Sequence, residues 1–260
     1  MAEIVIVPDA ETAGRLAAEA IIRRLERSAT PVLGVATGST PLTTYRALAD
    51  QVAAGRDLRH VRAFALDEYV GLPQGHPESY RAVVEREVIV PLGLDPALVA
   101  TPDGDPGRLA DAGERYEAAI AEAGGIDVQI LGIGADGHIG FNEPGSSLAS
   151  RTRVKTLTDQ TRRDNARFFQ SPDEVPLHCV TQGLGTILEA RHLILLAFGP
   201  AKADAVAAAV EGPLSASVPA SVIQLHPSVT LLVDEPAAAR LDNADYYRLT
   251  YARKPEWQLL

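Results

Sequence analysis

The sequence predicts an α/β fold, a Rossmann-like three-layer sandwich built on a mostly parallel central sheet. Three observations carry this. Short β-rich apolar runs alternate with longer segments of helical period. Most of the runs are continuous rather than alternating, as strands covered on both faces should be. Polar, glycine-rich or ionisable clusters follow several of the runs, where such folds place their reactive loops.

The strand-like runs are residues 3–7, 32–36, 61–66, 127–131, 191–198 and 229–233. Between them, residues 10–27, 41–54, 106–123, 181–189 and 201–210 have the period and composition of helices. Regular alternation of this kind implies right-handed crossovers between parallel strands. No Pro/Gly/Ser-rich linker, internal repeat or low-complexity tract interrupts the pattern, so residues 1–260 are read as one domain.

Composition narrows the function classes. With 46% hydrophobic and 22% charged residues, the chain has the apolar material of a globular protein and is not a disordered one. No apolar run approaches the roughly 20 residues of a membrane-spanning helix, so no membrane partner is expected. The opening MAEIVIVPDAETAGRL has no basic leader ahead of an apolar stretch, unlike a secretory signal. Cys179 is the single cysteine; no internal disulfide can form, and the cytoplasm is the expected compartment. A formal charge of −10 argues against nonspecific nucleic-acid binding. A phosphorylated substrate is not excluded, but its site must be built locally.

Thr37-Gly38-Ser39-Thr40-Pro41 lies between a buried strand and a helix that begins near Pro41. Proline suits a first helical turn, and the hydroxyls and free N–H groups ahead of it face the positive end of the helix. That arrangement binds phosphate or carboxylate. The plainer reading is a helix cap by Ser39 or Thr40. The loop has neither the P-loop lysine spacing nor a GxGxxG pattern, so a nucleotide is not favoured. Only three lysines occur in the chain. Lys202 follows Phe198-Gly199-Pro200 at the start of a helix, where a cation is unfavourable unless an anion joins it. Arg167 is the second candidate cation. For either residue alone a solvated surface charge is the favoured reading; beside the Gly-Ser-Thr loop the functional one gains weight.

Asp67 ends the run 61–66, so its carboxylate should sit at the mouth of the cleft, where burial can tune it as a general base. Glu68 competes for that role; neighbours in an extended segment point to opposite sides, so one of the two faces the cleft. Asp67 as the cap of a turn is the structural alternative. In the segment Asp136 to Gly145, Asp136 and His138 project to one side if the chain is extended. The turn formers Asn142, Pro144 and Gly145 can fold Glu143 back toward the imidazole. Carboxylates so placed fix a histidine's tautomer and orientation, which suits proton shuttling to sugar oxygens. The same trio could ligate a divalent metal, but no second histidine lies nearby, and no metal is expected.

These segments together resemble the glucosamine-6-phosphate deaminase (isomerase) family. The likeness runs through Ala36-Thr-Gly-Ser-Thr-Pro41, Leu66-Asp-Glu-Tyr-Val-Gly-Leu72, His76-Pro-Glu-Ser-Tyr80 and Asp136-Gly-His-Ile-Gly-Phe-Asn-Glu-Pro144. It continues through Ser147-Leu-Ala-Ser-Arg-Thr152, Lys155-Thr-Leu-Thr158, Arg167-Phe-Phe169 and Gln224-Leu-His-Pro227. Each is modest; in this order and spacing they are specific. The resemblance implies conversion of D-glucosamine 6-phosphate and water to D-fructose 6-phosphate and ammonia, without an organic cofactor. By position, Asp67 is implied as the base that removes the C2 proton. His138 is implied as the group that opens the pyranose ring, assisted by Asp136 and Glu143. Gly38, Ser39, Thr40, Arg167 and Lys202 are implied as the phosphate site.

Two departures are Ala135, where a polar residue is expected, and the divergent stretch 84–102. Some relatives are hexamers activated by N-acetylglucosamine 6-phosphate at a subunit interface. Ser147, Arg153 and Lys155, with Ser146 as a helper, resemble that effector site, so a homo-oligomer is implied. The tail 244–250 does not align cleanly with the part that completes it; solvated charges are the alternative. The 6-phosphogluconolactonases are similar in fold and also carry an Asp-Gly-His segment, but lactone hydrolysis needs no carbon-acid base. A sugar-sensing regulator domain of related fold would carry a basic helix-turn-helix, and no such module fits.

Overall fold

The computed structural model describes residues 2–255, 257, 258 and 260. In chain order its first half comprises β1 (Ala2–Val7), α1 (Ala10–Leu25), β2 (Val32–Val35), α2 (Leu42–Ala53), β3 (Arg62–Ala65) and β4 (Asp67–Tyr69). There follow α3 (Tyr80–Val84), a π-turn at Glu85–Ile89, α4 (Val90–Leu92), β5 (Val99–Ala100), α5 (Ala112–Glu122) and β6 (Val128–Gly132). The remainder is β7 (Arg153–Thr156), α6 (Asp159–Asn165), β8 (His178–Thr181), α7 (Leu184–Leu188), β9 (Leu193–Ala197), α8 (Ala203–Val210), β10 (Val229–Asp234) and α9 (Ala244–Ala252).

The main sheet has seven strands in the order β1-β10-β9-β6-β2-β3-β5, and every pairing in it is parallel. The continuous apolar runs have the expected cause: β2 and β9 are buried along their whole length, with helices packed against the sheet. One polar side chain lies in its middle. Gln129 of β6 is fully buried, donates to the Ile130 carbonyl, and occupies space that a Cβ on Gly34 would fill. Gly34 is glycine because the neighbouring strand needs that room.

Strand order decides where a site can form. From β2 the chain winds outward to β3 and β5; from β6 it winds the other way to β9 and β10. The β2/β6 boundary is the switch point, where loops leave in opposite directions and open a crevice. The four adjacent carboxyl ends, of β9, β6, β2 and β3, carry Gly199–Lys202, Gly134–His138, Thr37–Pro41 and Asp67.

Several boundaries differ from the sequence reading. The run 61–66 is not one strand. β3 ends at Ala65, and after Leu66 the chain leaves the main sheet to form β4 in a separate antiparallel sheet, β4-β8-β7. That sheet is not evident in the apolar pattern. The predicted helix 181–189 shrinks to α7, because Thr181 belongs to β8 and Gly183 turns the chain tightly against Ser150. The helix predicted over 106–123 is a 3₁₀ turn followed by α5, broken at Arg108 (φ −129°). The stretch 84–102 supplies the π-turn, α4 and β5.

Candidate active site

A cavity of about 280 Å³ opens over the switch point, lined by residues from all four carboxyl ends. The candidate residues Gly38, Ser39, Thr40, Asp67, His138, Arg167 and Lys202 all face it. Asp136 and Glu143 reach it through His138.

The loop after β2 is fixed by Tyr45, whose buried hydroxyl donates to the Ala36 carbonyl (2.7 Å) and accepts from the Ala36 N–H (3.1 Å). Gly38 follows at φ +92°, a conformation that excludes most side chains. The N-cap of α2 is Pro41 itself, and no side chain caps the helix. The reading of Ser39 or Thr40 as a plain cap therefore fails, and the first-turn N–H groups stay available at the cavity wall.

Across the cavity, Lys202 stands at the N-cap of α8 after Gly199 (φ +85°), whose N–H is held by both oxygens of Asp234. Burial pushes the Lys202 ammonium below its usual range, with Asp164 and Asp136 pulling the other way and Arg167 adding to the fall. Arg167, on a 3₁₀ turn after α6, lies over the Phe168 ring at 4.8 Å. Two cations and an uncapped helix start face one cavity, and a multiply charged anion relieves that repulsion.

Asp67 takes its position from the sheet change. Leu66 still hydrogen-bonds the main sheet through Val35, while Asp67 already pairs with Thr181 of β8. The carboxylate sits at the seam, only 5% exposed. No side chain among the described residues hydrogen-bonds it. Burial, with the neighbouring Glu68 charge adding to it, pushes the carboxyl up to about 8. Glu68 points the other way. Its oxygens accept the N–H groups of Tyr69, Tyr80 and Arg81, each at 2.8 Å, holding the start of α3. Of the two carboxylates left open by the sequence, Asp67 faces the cavity.

Asp136 and His138 do meet, but not by strand alternation. The segment is a turn around Gly137 (φ +84°) in which the Asp136 carboxylate accepts both the backbone N–H (3.2 Å) and Nδ1 (2.7 Å) of His138. That hydrogen bond draws the Asp136 carboxyl down to about 2. Gly134 makes room for the ring, because a Cβ there would sit 2.3 Å from the imidazole. Glu143 folds back as expected, with Oε2 3.7 Å from His138 Nδ1. One ligand atom from each of Asp136, His138 and Glu143 lies within 4.8 Å of the others, so this trio is also the place a divalent cation would fit.

The sequence reading gave no role to Thr161 or Tyr80. Thr161 bonds Glu143 from α6, and its one signal was the Thr158-x-x-Thr161 capping pattern. Tyr80, stacked on Phe141, walls the cavity. The four effector-site candidates are spread out. Arg153 turns inward and donates to Asn142 (2.7 Å), and Ser146 is buried. Ser147 is exposed and Lys155 half-buried, and no hydrogen bond joins Ser147 to Arg153 or Lys155 among the described residues.

A family model described as glucosamine-6-phosphate isomerases/6-phosphogluconolactonase matches residues 9–232. The chain belongs to this family. A protein named glucosamine-6-phosphate deaminase from Streptomyces coelicolor is 60% identical over 258 residues, covering 98% of this chain and 99% of its own. One of the same name from Rhodococcus opacus is 58% identical over 257 residues, covering 98% and 99%. Among solved structures, a monomeric glucosamine-6-phosphate deaminase superposes with a TM-score of 0.88 at 38% identity, over 92% of this chain and 99% of its own. A 6-phosphogluconolactonase from Trypanosoma cruzi shares the fold, with a TM-score of 0.74 at 22% identity over 93% and 97%.

Proposed function

We propose that this chain converts D-glucosamine 6-phosphate and water to D-fructose 6-phosphate and ammonia, in amino-sugar catabolism. The observation that carries the reading is Asp67: a buried carboxylate with a raised pKa, in the same cavity as His138 and two cations. An enzyme that only hydrolyses a lactone has no use for a carbon-acid base there. The relatives at 56–61% identity bear the deaminase name, which supports the same choice.

The chemistry follows from the order of events. A closed aminosugar has no sufficiently acidic C2 proton, so the ring opens first. His138, oriented by Asp136 and Glu143, moves the anomeric hydroxyl proton to the ring oxygen and exposes the C1 aldehyde. Asp67 takes the C2 proton while an ammonium proton passes to the C1 oxygen, leaving an enolamine delocalised over C1, C2 and nitrogen. The substrate ammonium beside it favours the ionised carboxylate during this step. Return of the proton at C1 places the double bond between C2 and nitrogen. Water adds to that imine, and ammonia leaves. Positioned acid–base catalysis supplies about 10²–10⁴-fold. Anchoring the open chain by its phosphate, at the Gly38–Thr40 loop, Arg167 and Lys202, supplies much of the rest through orientation.

The test is direct: ammonia and fructose 6-phosphate released from glucosamine 6-phosphate, with 6-phosphogluconolactone as the control substrate. Lactone hydrolysis without ammonia would overturn the reading. In the same proposal N-acetylglucosamine 6-phosphate is the effector and Ser146, Ser147, Arg153 and Lys155 are its site, completed in a hexamer. The 38%-identical relative is described as monomeric, which weighs against the hexamer. Assays with and without that effector, alongside sizing of the native particle, decide it. The cytoplasm is the proposed compartment, on the single buried cysteine. No helix among the described residues is long and apolar enough to cross a membrane.

A further inference from the structure

Glu143 is 3% exposed, and its two oxygens have different surroundings. Oε2 is buried, 3.7 Å from the imidazole, with no hydrogen-bond partner among the described residues. Oε1 accepts the Thr161 hydroxyl at 2.6 Å, with the Thr158 hydroxyl and N–H farther off at 3.3 and 3.4 Å. Thr158 is the N-cap of α6, and its oxygen accepts the Thr161 N–H at 3.1 Å. Its hydroxyl oxygen also lies 3.1 Å from the Thr161 oxygen, and with one proton Thr158 cannot serve every acceptor around it. Thr161 is therefore the one short donor to Glu143 among the described residues, and a hydroxyl to a carboxylate at that distance is a charge-assisted bond.

We propose that Thr161 is a positioning residue for ring opening. Its hydroxyl fixes the Glu143 carboxylate so that Oε2 stays aimed at His138. Without it, Glu143 is a buried carboxylate lacking its best donor. Such a group turns more freely, and Oε2 no longer keeps a fixed place beside the imidazole. The placement also explains why a threonine sits at the third position of α6, buried, where a helix start is commonly exposed. This inference rests on the deaminase reading.

The test compares Thr161→Val, which keeps the shape and removes the hydroxyl, with Thr161→Ser, which keeps the hydroxyl and removes a methyl. Ammonia release from glucosamine 6-phosphate is followed across pH in the full chain. Expected for Thr161→Val is a kcat lower by about tenfold or more, with KM changed by less than about threefold. Thr161→Ser should restore the rate. Two results overturn the proposal: Thr161→Val matching the parent in kcat, or Thr161→Ser failing to the same extent as Thr161→Val, which would make the role one of packing. An unmodified chain that releases no ammonia would instead strike the deaminase reading itself.

Discussion

The Asp136 carboxylate holds both the backbone N–H and the Nδ1 of His138, at 3.2 and 2.7 Å. A carboxylate only accepts, so Nδ1 carries a proton and Nε2 is the nitrogen left to exchange protons with a sugar. Asp136→Asn replaces an obligate acceptor with a side chain that can equally donate, and the opposite tautomer becomes accessible. We expect kcat for the cyclic substrate to fall about 10²-fold or more, because the ring-opening nitrogen is then protonated in the wrong place. Affinity for an acyclic, reduced analogue of the substrate should stay within about twofold. Equal losses with both molecules would mean that Asp136 shapes the cavity rather than orienting the imidazole.

Asp67 stores a cost that its replacement releases. In the folded chain its carboxyl is pushed up to about 8 by burial, against an ordinary value of 3.8. Between those values the folded state binds more protons than the unfolded one, so stability falls as pH rises from about 4 to about 8 and is flat above. Asp67→Asn removes that slope. The variant should melt close to the parent at pH 4 and several degrees above it at pH 8, with the gap widening between. It should also open the ring yet exchange no C2 hydrogen with deuterated solvent. Rapid C2 exchange in this variant would remove Asp67 from its role. In the unmodified chain the acid limb of kcat/KM should lie near pH 8 and that of kcat lower, because bound substrate brings an ammonium beside the carboxylate.

Lys202 and Arg167 crowd two positive charges at one wall of the cavity. Removing Lys202 in the absence of substrate should cost little stability, because its ammonium is partly desolvated and no hydrogen bond or ion pair holds it among the described residues. With substrate the cost appears. A charged hydrogen bond is worth about 1.5–3 kcal/mol, so Lys202→Ala should raise KM for glucosamine 6-phosphate by about 10- to 100-fold, with the melting temperature nearly unchanged. Inorganic phosphate should lose potency as a competitor in parallel. Unchanged KM would take Lys202 out of the phosphate site.

The main sheet was legible because its strands are covered on both faces and so read as continuous apolar runs. The loops at their carboxyl ends could then be found by looking just after each run. The second sheet was not legible for the converse reason. Arg153–Thr156 alternates half-buried and exposed residues, Asp67–Tyr69 has three residues, and both pair only with a strand far along the chain. Its absence from the reading mattered, because the step from one sheet to the other after Leu66 is what buries Asp67 and turns Glu68 away. The Asp136–His138 contact was anticipated for the wrong geometry. Spacing two suggested a strand, while Gly137 at positive φ makes a turn in which the side chain also bonds backbone. Thr161 lies eighteen residues from Glu143, and nothing local in the sequence joins them.

At the opposite end of the sheet, His192 sets an acid limit on the fold. It is 3% exposed, its Nδ1 lies 3.1 Å from the Arg24 guanidinium and 2.7 Å from the Ser228 hydroxyl, and its Nε2 lies 3.2 Å from Thr230. Arginine only donates, so Nδ1 accepts and the proton sits on Nε2; a second proton would sit on Nδ1, facing the Arg24 guanidinium. Burial, and then the Arg24 charge, hold the imidazole down to about 3 against an ordinary 6.5. The unfolded chain therefore binds the extra proton first, and stability is lost as pH falls from about 6.5 toward 3, by at most about 1.4 kcal/mol per pH unit. His192→Asn keeps an acceptor for Arg24 but cannot titrate. It should melt below the parent at pH 7, through lost packing, and the gap should close by roughly 2–4 °C per pH unit below 6. A gap that stays constant from pH 7 to pH 4.5 would place the acid limit elsewhere in the molecule.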